Sequence, residues 1–404
     1  MPQVLVSLLG KPPKGFYDES TYSVAALGKN IALPSEFPFE VLSELFTPDE
    51  IILIGTEQSI WEYAREKSSC KFSEVIIPSS EQESDQWRTF EIVSQIFNRD
   101  AEFILDITHG YRHLPLLSFL SAQFVRSLNP KCSVKHVFYG LYDSDLKRTH
   151  MIDLSKFMAI MDWTQATRMF SVHGKGHELA DLFQATGDQS LNEVGSKLNA
   201  LSDGLELLAV PSIPERASGV QIEIERAKPK EMLEIFSALK DEMLSLPTVL
   251  STNAADWEKA LILTEWYKDH EQWAKAIISL RETVVTFIGE ICGFDYEAYD
   301  ERELITKNIL QRSARELLRE SNILVKLWRK ITKYRNEVGH SNARLIDTDR
   351  FRDISQVIQD AGQTMRKIAA TDKEVKILTS HGEKQGMKKR PNASLDDLIN
   401  HFKA

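Results

Sequence analysis

Short apolar runs in the N-terminal part of the chain restrict the fold more than any other feature of the sequence. They occupy residues 4–9, 50–54, 74–77, 103–105, 134–139 and 150–154. Amphipathic segments with helical spacing lie between several of them, at residues 58–67, 85–97 and 113–128. Continuous apolar strands are typical of a mostly parallel sheet that helices cover on both faces. Residues 1 to about 160 are therefore predicted to form a Rossmann-like α/β domain.

The helical period dominates the sequence after Trp163. Residues 165–250 are mostly helical in pattern, although the alternation from Val220 to Glu225 predicts a short strand or an extended linker. Amphipathic segments follow at residues 257–270, 273–292, 301–321, 323–338 and 349–370. We therefore expect an all-α C-terminal bundle. The predicted division is an α/β domain at 1–164, a mostly helical connector at 165–250 and the helical bundle at 251–404.

Composition narrows the class of protein. The 404 residues are 42% hydrophobic and 27% charged, as in soluble globular proteins of two or three domains. A net charge of -10 argues against a general polyanion binder, so any contact with nucleic acid needs a local basic patch. Three scattered cysteines favour a reducing compartment. We find no apolar run of the roughly 20 residues that span a bilayer and no signal-peptide pattern, and we expect a cytoplasmic protein without membrane contact.

A polar octapeptide, Asp-Ile-Thr-His-Gly-Tyr-Arg-His at residues 106–113, follows one apolar run and precedes a predicted helix. In an open parallel sheet, ligands bind at this position, beyond the carboxyl ends of the strands. Thr108 and the loop amides can bind phosphate or ribose, and Gly110 permits a close approach of the backbone. His109 and Arg112 can stack on a base or meet a phosphate. Other predicted strands end near the same edge in small or polar residues, at Gly10, Lys11, Gly55 and Thr56.

The role of this octapeptide has alternatives. Asp106 is expected either to accept hydrogen bonds from the loop amides or to bind a ribose hydroxyl. The whole segment could also be a polar connection without a ligand, because Asp, Thr and Gly are common in such loops. Two histidines and an arginine in so short a segment favour a binding role. The sequence lacks a G-x-G-x-x-G motif after its first strand and a P-loop motif, which argues against classical dinucleotide and P-loop nucleotide binding.

The second motif is Tyr-Arg-Asn-Glu-Val-Gly-His at residues 334–340, at the end of an amphipathic helix. Apolar residues recur there at spacings of three and four: Leu324, Leu327, Trp328, Ile331, Tyr334 and Val338. Arg335 is expected to border this apolar seam and not to point freely into water. His340 is too far along a regular helix to share its face, but Gly339 can end the helix in a left-handed turn that brings the imidazole back.

Arg335, Asn336 and His340 together suit phosphodiester chemistry. Arginine supplies a permanent positive charge for a phosphate, and histidine titrates close to neutral pH. Residues 326–344 contain six lysines and arginines against one acid, Glu337, so this segment is a local basic patch. The alternative is an ordinary basic helix whose histidine caps the last turn.

A third candidate site is the pair His173 and His177, which could bind zinc if both lay on one helix. The intervening Gly174 and Gly176 disfavour a helix, and no glutamate follows the first histidine as it does in H-E-x-x-H. We therefore predict a loop or a helix start here, and no metal site.

Together, the two motifs resemble those of the CRISPR-associated CARF–HEPN ribonucleases of type III systems. The identical residues lie in Asp-x-Thr-His-Gly at 106–110 and in Arg-Asn-x-x-x-His at 335–340, and the order of domains is similar along nearly the whole chain. Members often carry Gly-Thr-Gly after the first strand, where this chain has Leu9-Gly10-Lys11-Pro12.

The resemblance implies that the Rossmann-like domain (CARF) binds a cyclic oligoadenylate, commonly cyclic tetra-adenylate, across a homodimer interface. It also implies that two copies of the helical domain (HEPN) form one metal-independent endoribonuclease site without a cofactor. Single-stranded RNA would be the substrate and DNA would be spared, because the 2′-hydroxyl would act as nucleophile. Arg335 would hold the scissile phosphate, Asn336 would orient it or the histidine, and His340 would act as general acid or base. The connector at 165–250 would transmit activation.

Three other functions remain open from the sequence. The first is a ligand-responsive protein whose helical domain binds a partner without cleaving RNA. The second is an enzyme that slowly opens its own cyclic ligand in the Rossmann-like domain. The third is a toxin-type HEPN ribonuclease without a sensor, which leaves the first domain unexplained.

Overall fold

The computed structural model describes residues 1–24, 31–79, 82–228, 233–312, 322–339 and 348–390. The chain divides into two compact units, Met1–Asp162 and Trp163–Ala404. The first unit is a sheet covered by helices, and the described part of the second unit is helical. This confirms the predicted fold class, a Rossmann-like α/β region followed by a mostly helical region. The separation of a connector at 165–250 from a bundle at 251–404 stays a prediction.

The strands of the described residues form one eight-stranded sheet with the order β3-β2-β8-β7-β6-β1-β4-β5. Their bounds are β1 Gln3–Leu9, β2 Ser20–Val24, β3 Ile31–Ser35, β4 Glu50–Thr56, β5 Ser73–Ile77, β6 Ala101–Asp106, β7 Cys132–Asp143 and β8 Arg148–Asp153. Strands β7, β6, β1, β4 and β5 pair in parallel. Strand β8 is antiparallel to β7, and β2 and β3 extend the sheet beyond β8.

The continuous apolar sequence of β1 is explained by burial on both sides of the sheet. Val4, Val6 and Leu8 lie in the core on one face, and Leu5 and Leu9 lie in the core on the other. Residues of α3 (Glu83–Phe97) and α4 (His113–Leu128) cover the first face. Residues of α1 (Pro38–Phe46) and α2 (Trp61–Lys67) cover the second face. A central strand in such a sheet has no side that faces solvent, so its sequence does not need to alternate between apolar and polar residues.

The remaining helices follow in chain order. Their bounds are α5 Ser155–His173, α6 His177–Ala185, α7 Gln189–Glu206, α8 Ile213–Arg226, α9 Leu233–Leu250, α10 Asp256–Asp269, α11 Trp273–Cys292, α12 Tyr299–Leu304, α13 Asn322–Gly339, α14 Thr348–Ala369 and α15 Asp372–Lys384. A π-helical segment, Ile305–Arg312, continues α12. The predicted helix at 301–321 is therefore irregular in its first half, and its residues 313–321 lie outside the described residues.

The expected strand or linker at residues 220–225 is wrong, because this segment lies inside α8. Ala217, Val220 and Ile224 are buried at spacings of three and four, on one face of the helix. Ile222, the remaining member of the apolar alternation, is 40% exposed. Val220 and Ile224 are four residues apart, and this spacing fits both a strand and a helix. The burial of Ala217, three residues before Val220, fits only the helix.

Candidate functional site

The candidate site of the first unit lies at the edge of the sheet where β1, β4 and β6 end. These three strands are neighbours and parallel, so their carboxyl ends lie side by side. The loops that follow them begin at Gly10, Glu57 and Ile107. Ligands of open α/β sheets bind at such an edge. The octapeptide at 106–113 therefore lies where the sequence predicted.

Asp106 is the last residue of β6, and its side chain stabilises the loop that follows. Its side chain is fully buried, and one carboxylate oxygen accepts hydrogen bonds from the amide and the hydroxyl of Thr108, at 3.0 and 2.5 Å. The other oxygen accepts a hydrogen bond of 2.5 Å from the hydroxyl of Ser7 in β1. Burial raises the pKa of this carboxyl to about 6, although all these hydrogen bonds lower it. These contacts match the structural alternative for Asp106, an acceptor that holds the loop.

Thr108 joins the loop to β7. Its hydroxyl donates to Asp106 and accepts a hydrogen bond of 2.9 Å from the amide of Gly140. A β-carbon at position 140 would lie 2.8 Å from the methyl group of Thr108 and 2.9 Å from that of Thr149. Glycine at this position of β7 thus lets the loop after β6 pack directly on the strand.

Two glycines bring the loops after β1 and β6 together. A β-carbon at Gly10 would lie 2.9 Å from the backbone nitrogen of Gly110 and 2.8 Å from the hydroxyl oxygen of Tyr17. Gly110 itself has a φ of +95°, which other residues rarely adopt. The amide of Gly10 donates a hydrogen bond of 2.9 Å to the Tyr17 hydroxyl. Both glycines therefore support the site by close backbone approach.

His109 lies against Tyr17 in a stacked arrangement, with ring centroids 3.8 Å apart and planes inclined by 10°. Its Nε2 is buried and has no hydrogen-bond partner among the described residues. Burial lowers the pKa of the imidazole to about 4, because the charged form is poorly solvated there. His109 is thus a neutral ring at physiological pH. The contact of His109 with a base or a phosphate stays a prediction, and a neutral ring would make it in this conformation.

A cavity of about 450 Å³ opens beside this stack. It is mostly apolar and aromatic, and its walls come from the loop after β1, the start of β2, the loop after β6, the end of β7 and the start of β8. The lining residues are Pro12, Pro13, Lys14, Phe16, Tyr17, Asp18, Ser20, Tyr22, Thr108, His109, Gly140, Tyr142 and Thr149. The charges of Lys14 and Asp18 pair with each other at 2.9 Å. Such a lining suits a planar, uncharged ring system with a few polar groups.

The other predicted ligand-binding residues do not line this cavity. Gly55 allows tight packing, because a β-carbon there would lie 2.7 Å from the Ser59 hydroxyl oxygen. Thr56 is buried at the end of β4. Lys11 is exposed and donates to the side chain of Gln58 at 3.0 Å. Arg112 is also exposed, just before α4.

The sequence analysis missed the aromatic side chains of the cavity, Phe16, Tyr17, Tyr22 and Tyr142. Three of them lie in or next to β2 and the loop before it, for which no element was predicted. The structure buries Ser20, Tyr22 and Val24 of β2, but only the last two are apolar, and an alternation of two apolar residues is too short a signal to predict a strand.

Gly10→Ala tests the close approach of the two loops. The added methyl group meets a backbone atom of Gly110, so the loop after β1 or β6 must move. We expect a loss of about 1–3 kcal/mol in the free energy of unfolding of the sheet unit, as for other overpacked positions. Thermal unfolding of the full chain measures it. Gly219→Ala in α8 is the control, because the nearest atom to a β-carbon there is the Lys197 side chain at 3.6 Å. Unchanged unfolding of Gly10→Ala would contradict the proposed packing.

The second motif lies at the end of α13. The apolar seam is confirmed for Leu324, Leu327, Trp328, Ile331 and Tyr334, which are buried, whereas Val338 at its end is partly exposed. The seam is fixed to α14 by a hydrogen bond of 3.1 Å from the Tyr334 hydroxyl to Asp353.

The expected placement of Arg335 at the border of this seam is wrong, since its side chain is exposed. Tyr334 takes the buried position, and the neighbouring residue is turned away from it by the helical rotation. Arg335 donates a hydrogen bond of 3.3 Å to the side-chain oxygen of Asn336, which is exposed too. His340 lies outside the described residues.

The histidine pair of the third candidate site falls at a helix boundary, as predicted. His173 ends α5 and His177 begins α6, with Gly174 at a φ of +71° between them. His177 contacts Asp203 at 3.0 Å. In the described part of the chain, no group of three or more His, Cys, Asp or Glu side chains is arranged to hold a metal ion. Nor does any helix described there have the length and apolar character to cross a membrane.

Comparison with known proteins was consistent with the resemblance. Residues 4–145 match the family of the CRISPR system endoribonuclease Csx1, CARF domain, and residues 159–251 match that of the CRISPR-associated protein MJ1674, second domain. The chain is also similar to CRISPR-associated protein MJ1674 of Methanocaldococcus jannaschii, with 19% identity over 373 residues. This similarity covers 77% of the chain but only 57% of the length of that relative.

A solved structure is similar over most of the chain. It is Enterococcus italicus Csm6 bound to cyclic hexa-2′-fluoro-hexa-dAMP, with 13% identity, a TM-score of 0.45, and coverage of 98% of this chain and 100% of that one. The family matches fall on the sheet unit and on the helices that directly follow it. Residues 4–145 are therefore similar to the CARF domain of CRISPR-associated proteins.

Proposed function

We propose that this chain is a cyclic-oligoadenylate-activated, metal-independent endoribonuclease that cleaves single-stranded RNA in type III CRISPR antiviral defence. The observation that carries the proposal is the aromatic cavity at the carboxyl ends of β1 and β6, whose lining residues except Thr149 lie in the segment that matches a Csx1 CARF domain. The sheet unit senses the ligand, and the helical unit cleaves RNA. The protein acts in the cytoplasm as a homodimer or higher homo-oligomer.

The chemistry of the cavity supports an adenine-containing ligand. Its volume of about 450 Å³ accommodates one nucleoside, and its aromatic walls offer faces on which a base stacks. The neutral His109 and the hydroxyls of Ser20 and Thr149 supply polar groups without charge. Lys11 and Arg112, exposed at the same sheet edge, are available for phosphates outside the cavity. A ring of several nucleotides is larger than this one cavity, which favours binding across a dimer in which each chain contributes such a cavity.

The exposed end of α13 supports RNA cleavage. The face toward solvent carries Lys326, Arg329, Lys330, Lys333 and Arg335, all exposed, in a chain whose net charge is -10. A basic surface of this kind binds a phosphate backbone. Arg335 contacts the scissile phosphate and stabilises the charge that develops in the transition state, and Asn336 orients it.

His340 follows Arg335 by five residues in the sequence and acts as general acid or base on the 2′-hydroxyl or the leaving oxygen. Two chains supply two such sets of residues at one two-fold axis. No metal ion takes part, because the nucleophile belongs to the RNA itself.

Two of the alternative functions fit the geometry of the candidate sites less well than the proposed ribonuclease does. A sensor unit that opens its own ligand needs a base near the cavity, and a His109 with a pKa of about 4 accepts a proton poorly at pH 7. A regulator that only binds a partner leaves the exposed Arg335 and Asn336 at a basic helix end without a role.

A cleavage assay tests the proposed function. The full chain is incubated with fluorescent single-stranded RNA and EDTA, and with cyclic tri-, tetra- or hexa-adenylate or linear tetra-adenylate. We expect cleavage with one cyclic ring size and much slower cleavage without it, while a DNA strand of the same sequence stays intact. Cleavage that is independent of every oligoadenylate would exclude the sensor function, and the absence of cleavage under all conditions would exclude the nuclease.

A further inference from the structure

Tyr17 connects the two loops that form the candidate site. Its ring stacks on His109 of the loop after β6, and its hydroxyl accepts a hydrogen bond from the amide of Gly10 in the loop after β1. Its other side is fixed by an edge-to-face contact with the buried Phe37, at a centroid distance of 6.2 Å and an angle of 89°. These three contacts fix the orientation of the Tyr17 ring. The His109 ring that stacks on it is thereby held in a fixed orientation too.

The imidazole of His109 depends on this contact. The Tyr17 ring covers one face of the imidazole, since the ring centroids are 3.8 Å apart and the planes are inclined by only 10°. Nε2 is shielded from water and has no hydrogen-bond partner among the described residues. A buried polar atom without a partner is unfavourable, so a partner supplied by a ligand is favoured here.

Burial lowers the pKa of His109. The titratable groups that line the cavity with His109 are Lys14, Tyr17, Asp18, Tyr22 and Tyr142. Lys14 and Asp18 pair with each other. In the loop of His109 itself, the buried Asp106 carboxylate accepts hydrogen bonds from Ser7 and Thr108, and Tyr111, Arg112 and His113 are exposed. The imidazole is therefore kept in its neutral form by exclusion of water, which the Tyr17 ring provides on one side.

We propose that Tyr17 is a positioning residue that holds His109 as a neutral, directional hydrogen-bonding group for the base of a bound nucleotide. The assignment to a nucleotide rests on the proposed function, whereas the positioning of His109 does not. A neutral imidazole forms one hydrogen bond with defined direction through its free nitrogen, as the edge of a purine requires. A charged imidazole would instead be attracted to phosphate without regard to the base. Tyr17 thereby favours recognition of the base over attraction to the polyanion.

Substitution of Tyr17 tests the positioning without any ligand. Tyr17→Phe keeps the stacked ring and removes the hydrogen bond to Gly10, and Tyr17→Leu removes the stack. Histidine NMR titration of the full chain gives the pKa of His109, assigned by the resonance that is lost in His109→Gln. We expect a value near 4 in the wild type and in Tyr17→Phe, and a rise toward the ordinary 6.5 in Tyr17→Leu. Tyr139→Leu, on an exposed part of β7, is the control and leaves the His109 titration unchanged.

Ligand binding tests whether the neutral His109 held by Tyr17 contributes to recognition of the nucleotide. The probe is the cyclic oligoadenylate that binds the wild type most tightly, measured by calorimetry between pH 5.5 and 8. We expect constant affinity in the wild type, and in Tyr17→Leu a loss of about tenfold at pH 8 with a pH dependence centred near 6.5. An unchanged His109 pKa in folded Tyr17→Leu would overturn the positioning role. If the pKa shifts as expected but no oligoadenylate binds the wild type, the positioning of His109 is supported and the proposed ligand is excluded.

Discussion

Arg335→Ala is expected to lower the rate of ligand-stimulated RNA cleavage by about 100- to 1000-fold, as removal of one transition-state donor does in other enzymes. The reason is the loss of the only permanent positive charge in the Arg335, Asn336 and His340 set. The fold is expected to stay intact, because Arg335 is exposed and its hydrogen bond goes to the neighbouring Asn336. Single-turnover cleavage of fluorescent RNA at saturating oligoadenylate measures the effect.

The matched control is Arg352→Ala in α14, an equally exposed arginine that belongs to neither motif. Its cleavage rate is expected to stay within about twofold of the wild type, as is usual for surface substitutions. Both variants should bind the oligoadenylate like the wild type, since both changes lie outside the sheet unit. Equal cleavage by Arg335→Ala and the wild type would show that α13 does not carry the active site.

Asp106→Ala is expected to destabilise the sheet unit by about 3–5 kcal/mol. The substitution removes both acceptor oxygens from a fully buried position and leaves the hydroxyl of Ser7 and the amide and hydroxyl of Thr108 without them. Each buried polar group left without a partner costs about 1–3 kcal/mol. Thermal unfolding of the full chain, followed through the transition of the sheet unit, measures the loss.

Asp106→Asn separates the charge of this residue from its hydrogen bonds. The amide oxygen can accept from Thr108, and the amide NH₂ can donate to the hydroxyl oxygen of Ser7. The fold should therefore be retained. The wild-type carboxyl has a folded pKa of about 6, above its ordinary value of 3.8, so the folded state binds this proton more tightly than the unfolded state. Its contribution to stability is thus largest below about pH 4 and is lost as pH rises through 6.

The wild type should therefore lose about 2 kcal/mol of stability relative to Asp106→Asn between pH 4 and pH 7. Urea unfolding of both proteins at several pH values measures the difference. Asp100→Asn serves as the control, because Asp100 is an exposed acid just before β6 that pairs with Lys131. A difference between wild type and Asp106→Asn that does not vary with pH would show that Asp106 is not the titrating group.

The central strands of the sheet unit were predictable from sequence because their burial is complete. A strand such as β1, covered by helices on both faces, is apolar at most of its residues, and that pattern is visible without a structure. Its buried polar residue, Ser7, donates a hydrogen bond to Asp106. Strands β2 and β3 and helix α1 were not predicted, since they are short and β2 alternates between buried and partly exposed residues. Helix α3 was predicted from the spacing of its apolar residues, but Trp87, one of these apolar residues, is 65% exposed. A helical period gives the direction of a side chain but not the extent of the neighbouring core.

The central strands, the position of Asp106 to Arg112 at a strand end and the apolar seam of α13 could be predicted from the sequence. These features depend on residues close together in the chain, whose spacing sets their geometry. The exposure of Arg335 and the set of residues that form the cavity depend on the tertiary structure. Tyr17 meets His109, and Gly10 meets Gly110, across about one hundred residues of sequence, because β1 and β6 are neighbours in the sheet. Such pairing has no local signature, since strand order is set by the packing of the whole sheet and its helices.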